Sequence, residues 1–346
     1  MITATKRFGS YVLERATDAI KHYESDIGTD DYKSSCTIPN TWIELELLEI
    51  RPYNDDTSIF RFQLPDSQQY LKLATGSFLL VKAPDCEHGG GDAIRPYTSI
   101  SIDGNGYFEI IVKRYKEWGV KEEALKSQTH FLFIKTDHSY RPAGAVSNYI
   151  HNLKVGQRLS FKHTSACKGK LSFPLADEVK TLIMIAVGIG VAPMINTLRT
   201  IFNDENREST KDIDIILLYG VRETKDILLK EVLEEWRLYT NRFKVVYCIG
   251  SRWSQIVMGG KTKNEYIPPP LPKGYLELQN ANVPVELGWV NEEKLQKHTP
   301  AASMSSRVVV CGLPSVYEKL CGPRHVDEVT GVLQKLGYTK ENVIKL

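Results

Sequence analysis

Between Trp42 and about Phe173 the chain is written in short runs of alternating or continuous apolar residues: WIELELLEI, SIFRFQL, SFLLVKAP, YTSISI, YFEIIVKRY and RLSFK. Pro, Gly, Asp and Asn separate them, which predicts about six short strands in a small antiparallel barrel or sandwich. SNYIHNL, residues 147–153, is the one clear helical turn among them. After Pro174 the periodicity changes. TLIMIAV is a continuous apolar strand of the kind buried on both faces of a parallel sheet. A glycine turn and the helical spacing of APMINTLRTIFND follow, then strand IDIILLYG, helix KDILLKEVLEEWRLYT, strand FKVVYCIG, strand SRVVVCG and a last helix in VTGVLQKLGY. Strands alternating with helices predict a doubly wound parallel sheet. A long loop from about Ser251 to Gly288, with IPPPLPKGY inside it, interrupts this second region. The pattern divides the chain into an N-terminal extension (1–40), an all-β domain (41–173) and an α/β domain (174–346).

Length and composition add exclusions. A chain of 346 residues has room for two domains, and 44 Lys plus Arg against 42 Asp plus Glu give a net charge of +2. That balance leaves no electrostatic footprint for nucleic acid. The longest apolar run, Leu182 to Ile195, is shorter than a bilayer-spanning helix and holds Gly188, Gly190 and Pro193, so it reads as a strand and turn, with no transmembrane segment. Residues 1–23 lack the apolar core of a secretory signal. Their basic, amphipathic start fits a mitochondrial presequence; Glu14, Asp18 and, just beyond, Glu24 count against one, and a packed N-terminal helix stands as the equal reading. The six cysteines form no C-x-x-C pair, so zinc and dithiol chemistry lack support; isolated thiols are favoured over a Cys311–Cys321 disulfide. No Ser/His/Asp or metal-ligand constellation stands at ordered spacing, and the histidines, among them His130, His138, His151 and His163, are scattered.

Chemistry concentrates in a few strings. Arg95-Pro96-Tyr97-Thr98-Ser99-Ile100-Ser101 offers a cation for a pyrophosphate, an aromatic ring and polar groups, and period-2 alternation puts Arg95, Tyr97 and Ser99 on one strand face. Val112-Lys113-Arg114-Tyr115 ends the next strand. Pro142-Ala143-Gly144-Ala145-Val146-Ser147 leads into the short helix, with Ser147 read as its N-cap and Gly144 letting backbone approach a phosphate. In the second domain, Gly188-Ile189-Gly190-Val191-Ala192-Pro193 joins a strand to a helix, as a dinucleotide turn does. Asp226 reads as a helix cap. Arg222, with Ser251-Arg252, offers charge for a 2′-phosphate. Cys311-Gly312-Leu313-Pro314 ends the last core strand.

The order of these strings resembles the NADH–cytochrome-b5 reductase branch of the ferredoxin–NADP reductase superfamily. The resemblance covers about Trp42 to Leu346 and includes Tyr219-Gly220-Val221-Arg222-Glu223-Thr224-Lys225-Asp226 and Gly288-Trp289-Val290-Asn291-Glu292. It implies an FAD β-barrel followed by an NAD(P) domain, and an oxidoreductase passing hydride from NADH, or NADPH, to flavin and single electrons onward to a haem protein such as cytochrome b5. It assigns Arg95 to the pyrophosphate, Tyr97 and Thr98 to the flavin ring and ribityl, Ser147 to phosphate, and Lys113 to the nicotinamide side. Ser99, Val112, Tyr115, Gly144 and Val146 complete the flavin set, and Gly188, Gly190, Pro193, Cys311 and Gly312 the nucleotide set. It implies no acid–base catalytic residue and no metal; proximity of nicotinamide to flavin carries the reaction. Three departures stand out. Ala145 and Val146 replace a frequent Lys and Met, Ile189 replaces a Thr, and Leu313 replaces a Pro. The last two motivate the alternative of a non-catalytic FAD-binding assembly factor. The C-terminal segment, with Cys321-Gly322-Pro323-Arg324 and Asn342-Val343-Ile344-Lys345-Leu346, is similar to fungal mitochondrial flavoproteins of cytochrome c import and haem attachment. That likeness implies a mitochondrial location, with a cytoplasmic or peripheral membrane one as the alternative, and the cytochrome c assembly machinery as the alternative partner.

Overall fold

The computed structural model describes residues 35–346 apart from 68, 102–105, 118–141, 172, 204–209, 211 and 251–270. The N-terminal helix or presequence, Ser251-Arg252, residues 267–270 of the Pro-rich stretch, His130 and His138 lie outside the described residues.

The first unit is built on six antiparallel strands, β1 (Ile43–Asn54), β2 (Thr57–Gln63), β3 (Leu79–Ala83), β4 (Ala93–Tyr97), β5 (Tyr107–Lys113) and β6 (Arg158–Lys162), in the order β4-β3-β6-β1-β2-β5. β1 makes the sheet curl. Its first residues pair with β6, from Ile43↔Phe161 to Glu46↔Arg158, and the rest pairs with β2. A register shift between Leu47 and Glu49 marks the change of partner, and such an irregularity bends a strand. The outcome is a half-barrel whose order ends on β4 and β5, where the sequence pattern also allowed a closed barrel. Its inner face is aromatic. Phe161 stands 4.9 Å from Phe62 and 5.1 Å from Phe108, both edge-on. Helix α1 (Ala145–Asn152) closes one side of this core with Val146 and Ile150.

The strand read from the sequence as YTSISI lies earlier. β4 pairs with β3 from Ala83↔Ala93 to Leu79↔Tyr97, and the chain leaves the ladder at Thr98. Alternation therefore holds for Arg95 and Tyr97 and fails for Ser99.

The second unit contains Gly169–Leu346 and takes in two short pieces, Ala74–Ser77 and Thr98–Ile102. Its parallel sheet has the order β10-β9-β8-β7-β11-β12, from β7 (Thr181–Val187), β8 (Asp214–Val221), β9 (Phe243–Ile249), β10 (Val285–Leu287), β11 (Ser306–Cys311) and β12 (Val343–Lys345). The chain starts at β7, builds outward through β8 and β9 to β10, and returns to the other side of β7 with β11. The topological switch point thus lies between β7 and β11, where open α/β sheets receive ligands at their carboxyl ends. β7 carries six consecutive buried residues, as a central parallel strand requires.

Several sequence-read boundaries move. Helix α2 (Val191–Phe202) stands as expected. Helix α3 runs Lys230–Tyr239, not from Lys225, because Leu229 adopts a left-handed φ of 55° and Thr224–Asp226 forms a separate single turn. Ile227, Leu228 and Leu229 are all buried, and three consecutive residues cannot share one helix face. The expected long loop contains α4 (Tyr275–Asn280) and β10. Three further helices follow. α5 (Glu292–His298) is capped by the Asn291 side chain, α6 (Pro314–Leu320) opens on a proline, and α7 is Gly331–Lys335. All six cysteines are free thiols, so Cys311 and Cys321 are not joined.

Candidate functional site

The flavin set of the first unit gathers around the ends of β4 and β5 and the start of α1. Arg95 sits on β4 and is held by Glu87, whose carboxylate lies 3.0 Å from Arg95 Nη1. Tyr97 ends the strand, packed against the half-barrel core. Desolvation raises its phenol well above the ordinary value, and the neighbouring Tyr115 phenol adds to the shift, so Tyr97 is a neutral hydrogen-bonding group at any physiological pH. The β5 end is tied to α1 through polar side chains. Arg114 donates to Asn148 Oδ1 at 2.9 Å and Asn152 Oδ1 at 3.1 Å, and Asn148 Nδ2 donates to the Tyr115 and Gly144 carbonyls at 2.8 Å each.

Ser147 is not the N-cap. Gly144 is, which puts Ser147 in the first turn, where its hydroxyl donates to the Gly144 carbonyl at 3.2 Å. A β-carbon on Gly144 would stand 2.5 Å from Ser147 Oγ and 3.1 Å from Tyr115 Cβ, so any larger residue here would have to displace both side chains. With glycine as its cap, α1 has no side-chain cap and no acidic residue in its first turn. The N–H groups of its first turn have no side-chain cap among the described residues, which suits an anion. A helix start without a side-chain cap, a guanidinium and two aromatic rings fit the phosphates and ring of a flavin dinucleotide.

Three expected members contribute differently. Val112 points into the core, and His151 Nε2 donates to its carbonyl at 3.0 Å, so Val112 offers no group to a ligand. Lys113 Nζ is engaged by Asp56 at 2.9 Å, which ties β5 to the β1–β2 turn. Val146 likewise has its side chain in the core and offers only its main chain.

In the second unit, Gly188 (φ 57°) and Gly190 frame a single helical turn that carries Ile189 from β7 into α2. A β-carbon on Gly190 would lie 2.3 Å from the Cys311 carbonyl oxygen and 3.0 Å from the Gly312 nitrogen. The turn after β7 and the end of β11 therefore touch through backbone at the switch point. α2 has no side-chain cap and no acidic residue in its first turn, and Pro193, one residue of that turn, has no N–H to satisfy. These residues fit a nicotinamide dinucleotide. Cys311 is half-buried, and desolvation raises its thiol, which stays protonated; the Tyr317 hydroxyl is its hydrogen-bonding neighbour and also donates to the Leu346 main-chain oxygen.

Thr98 and Ser99 belong to this unit by their contacts. Ser99 is fully buried, and its hydroxyl bonds to Ser101, so it does not face a ligand as alternation predicted. Its carbonyl accepts from Asn196 Nδ2 at 3.2 Å, and Asn196 Oδ1 accepts from Gly76 N at 3.4 Å. Asn196, on the inner face of α2, thus fixes the segment that follows Tyr97. Asp226 caps no helix; its carboxylate lies 3.6 Å from Arg222 Nε at the end of β8. Among the described residues no group of His, Cys, Asp and Glu could hold a metal ion, and no helix is long and apolar enough to cross a membrane.

Sequence reasoning missed Glu87, His88, Asn196 and Tyr317. Asn196 had a signal, an amide on the apolar face of a helix. The others had none, because their partners are set by tertiary structure.

Comparison with known proteins agrees with this geometry. Residues 44–171 match the oxidoreductase FAD-binding domain family and residues 184–269 the oxidoreductase NAD-binding domain family. A protein of Emericella nidulans called NADH-cytochrome b5 reductase 2 is 30% identical over 318 residues, covering 88% of this chain and 77% of its own. Its namesake in Meyerozyma guilliermondii is 27% identical over 333 residues, covering 94% and 92%. The cytochrome b5 reductase domain of Ulva prolifera nitrate reductase shares the fold with a TM-score of 0.61 at 22% identity, over 89% of this chain and 98% of that one. Fold and site together define an oxidoreductase that binds FAD and a nicotinamide dinucleotide. The chain belongs to the ferredoxin reductase-like family, in its NADH–cytochrome b5 reductase branch.

Proposed function

We propose that this oxidoreductase takes hydride from NADH and delivers electrons one at a time to a haem protein of the cytochrome b5 type. The observation that carries the nucleotide half of this reading is the backbone contact of Gly190 with Cys311 and Gly312 at the switch point of the parallel sheet. FAD, when bound, supplies the conversion of a two-electron hydride into single electrons. The chain's own part is to place and to exclude. Arg95 and the α1 start hold the phosphates, Tyr97 and Tyr115 supply aromatic neighbours for the ring, and the Gly188–Gly190 turn holds the dinucleotide. No protein group has to gain or lose a proton, in keeping with a protonated Cys311 and a neutral Tyr97. The haem-protein acceptor is supported by the names of the relatives.

The protein as purified should be yellow, and anaerobic NADH should bleach its flavin absorbance within the mixing time. Cytochrome b5 should then be reduced faster than cytochrome c. A yellow protein that NADH does not bleach overturns the enzyme reading in favour of a non-catalytic flavin-binding assembly factor. Faster reduction of cytochrome c would move the acceptor toward cytochrome c assembly and, with it, the location toward mitochondria.

A further inference from the structure

The loop joining β3 to β4 contains Asp85-Cys86-Glu87-His88-Gly89-Gly90-Gly91-Asp92. It brings an anion to a place where a phosphate is expected, which calls for a reason. The Glu87 carboxylate meets Arg95 end-on: Oε2 lies 3.0 Å from Nη1, and Oε1 accepts from Nη2 at 3.3 Å. Nη1 donates to the Ile94 carbonyl at 2.8 Å. A guanidinium has five N–H donors in a rigid plane. Two are engaged, one hydrogen on Nη1 and one on Nη2, with the Glu87 carboxylate lying across the Nη1–Nη2 edge. The other edge, Nε–H with the adjacent Nη2–H, is taken by no described residue. That edge has the spacing for two oxygens of a phosphate.

Burial works to raise the Glu87 carboxyl, and the hydrogen bond and charge of Arg95 outweigh it, so the group is ionised and the pair intact at neutral pH. The next residue braces the same loop from the other side. His88 Nε2 donates to the Ala143 carbonyl at 2.8 Å, in the turn that leads into α1. One loop therefore grips both the arginine and the turn before the uncapped helix.

We propose that Glu87 is a positioning residue for flavin-dinucleotide binding, holding the Arg95 guanidinium so that its Nε edge is left for the pyrophosphate. The proposal rests on the FAD reading of Arg95. An arginine held in advance loses little further rotamer freedom when the ligand arrives, so the pair raises affinity although Glu87 itself carries the ligand's sign of charge.

The test is a cycle of variants read as the dissociation constant for FAD, followed by flavin fluorescence on release from the full chain. E87Q keeps the side-chain shape and removes the charge; it should weaken FAD binding roughly tenfold. In an R95M background the same E87Q change should cost nothing more, because Glu87 acts only through Arg95. E87D, which keeps the charge at shorter reach, should fall between wild type and E87Q, and it serves the cycle if E87Q does not fold. Equal or tighter FAD binding by E87Q, or a loss that adds fully to that of R95M, overturns the role of Glu87. A wild-type protein that takes up no FAD overturns the flavin reading and this proposal with it, which is a different result from a wild type that binds FAD as weakly as its variant.

Discussion

Gly190 and Cys311 meet backbone to backbone: a β-carbon added to Gly190 would stand 2.3 Å from the Cys311 carbonyl oxygen and 2.7 Å from its carbon. Gly190 itself has φ −61° and ψ −5°, an ordinary right-handed conformation. The requirement for glycine is therefore one of space, not of backbone freedom. No flexible side chain is there to yield, so G190A must push β11's end away from the turn after β7. The expected result is a loss of about 2 kcal/mol or more in stability, with NADH affinity falling further than FAD affinity because the displaced residues belong to the nucleotide set. Thermal unfolding together with titration of each cofactor checks this.

His163 gives the fold a pH dependence. It follows β6, is 2% exposed, and its main-chain N–H donates to the Pro39 carbonyl at 2.9 Å. Burial lowers its imidazole to about 4, against about 6.5 in an unfolded chain. Between those values the unfolded chain binds a proton that the folded one refuses, so stability falls as pH falls from about 6.5 toward 4. H163L removes the titrating group at similar volume. Between pH 7 and pH 5 wild type should lose about 2 kcal/mol more stability than H163L, measured by urea unfolding at each pH. Parallel losses in the two proteins would mean that other groups set the acid sensitivity.

Both sheets were legible because their signals are local. Alternation in β1, β2 and β5 and continuous apolar runs in β7, β8 and β9 each report burial on one face or two. What was illegible depended on partners distant in sequence. The true extent of β4 is fixed by its register on β3, where Leu79 pairs with Tyr97, and nothing in Arg95-Pro96-Tyr97-Thr98-Ser99 states where that ladder ends. The start of α3 is set by Leu229 in a left-handed conformation and by the Tyr219 hydroxyl accepting from Leu228 N at 3.2 Å. Lys345 is buried and donates to the carbonyls of Pro323, Val326 and Glu328, partners that lie 22, 19 and 17 residues earlier in the chain. In the site, glycines and the arginine were visible because their chemistry follows from residue type. Glu87 was not, because an acidic residue in a Gly-rich loop reads as solvated until its arginine is found opposite.

Asp226 bears on the choice between NADH and NADPH. The end of the second strand of such a sheet is where the adenosine ribose is read, and Arg222 stands there, directly after β8. Its guanidinium is drawn to the Asp226 carboxylate at 3.6 Å, and Asp226 is the more buried partner. A carboxylate in that place repels a 2′-phosphate and engages the cation that would otherwise receive it. D226N should therefore raise the affinity for NADPH about tenfold and leave that for NADH within a factor of two or so. The ratio of flavin-bleaching rates with limiting NADPH and NADH reads this directly. An unchanged ratio would place the ribose elsewhere.

Ile189 is the departure from the family pattern most directly tied to rate. It occupies the middle of the Gly188–Gly190 turn and is half-buried, between a strand end and the start of α2. The threonine hydroxyl that the family resemblance implies at this place can hydrogen-bond; an isoleucine side chain cannot. A neutral hydrogen bond formed as the nicotinamide is seated contributes about 0.5–1.5 kcal/mol, which is up to about tenfold in rate if it strengthens on the way to the transition state. I189T should thus raise the limiting rate of flavin reduction by NADH several-fold, about three to ten, with little change in FAD affinity, since no residue of the flavin set is altered. Single-turnover mixing under nitrogen separates the limiting rate from NADH binding. A variant with tighter NADH binding at an unchanged limiting rate would show that a hydroxyl at this position serves ground-state binding alone, and a slower variant would show that Ile189 contributes by packing the turn.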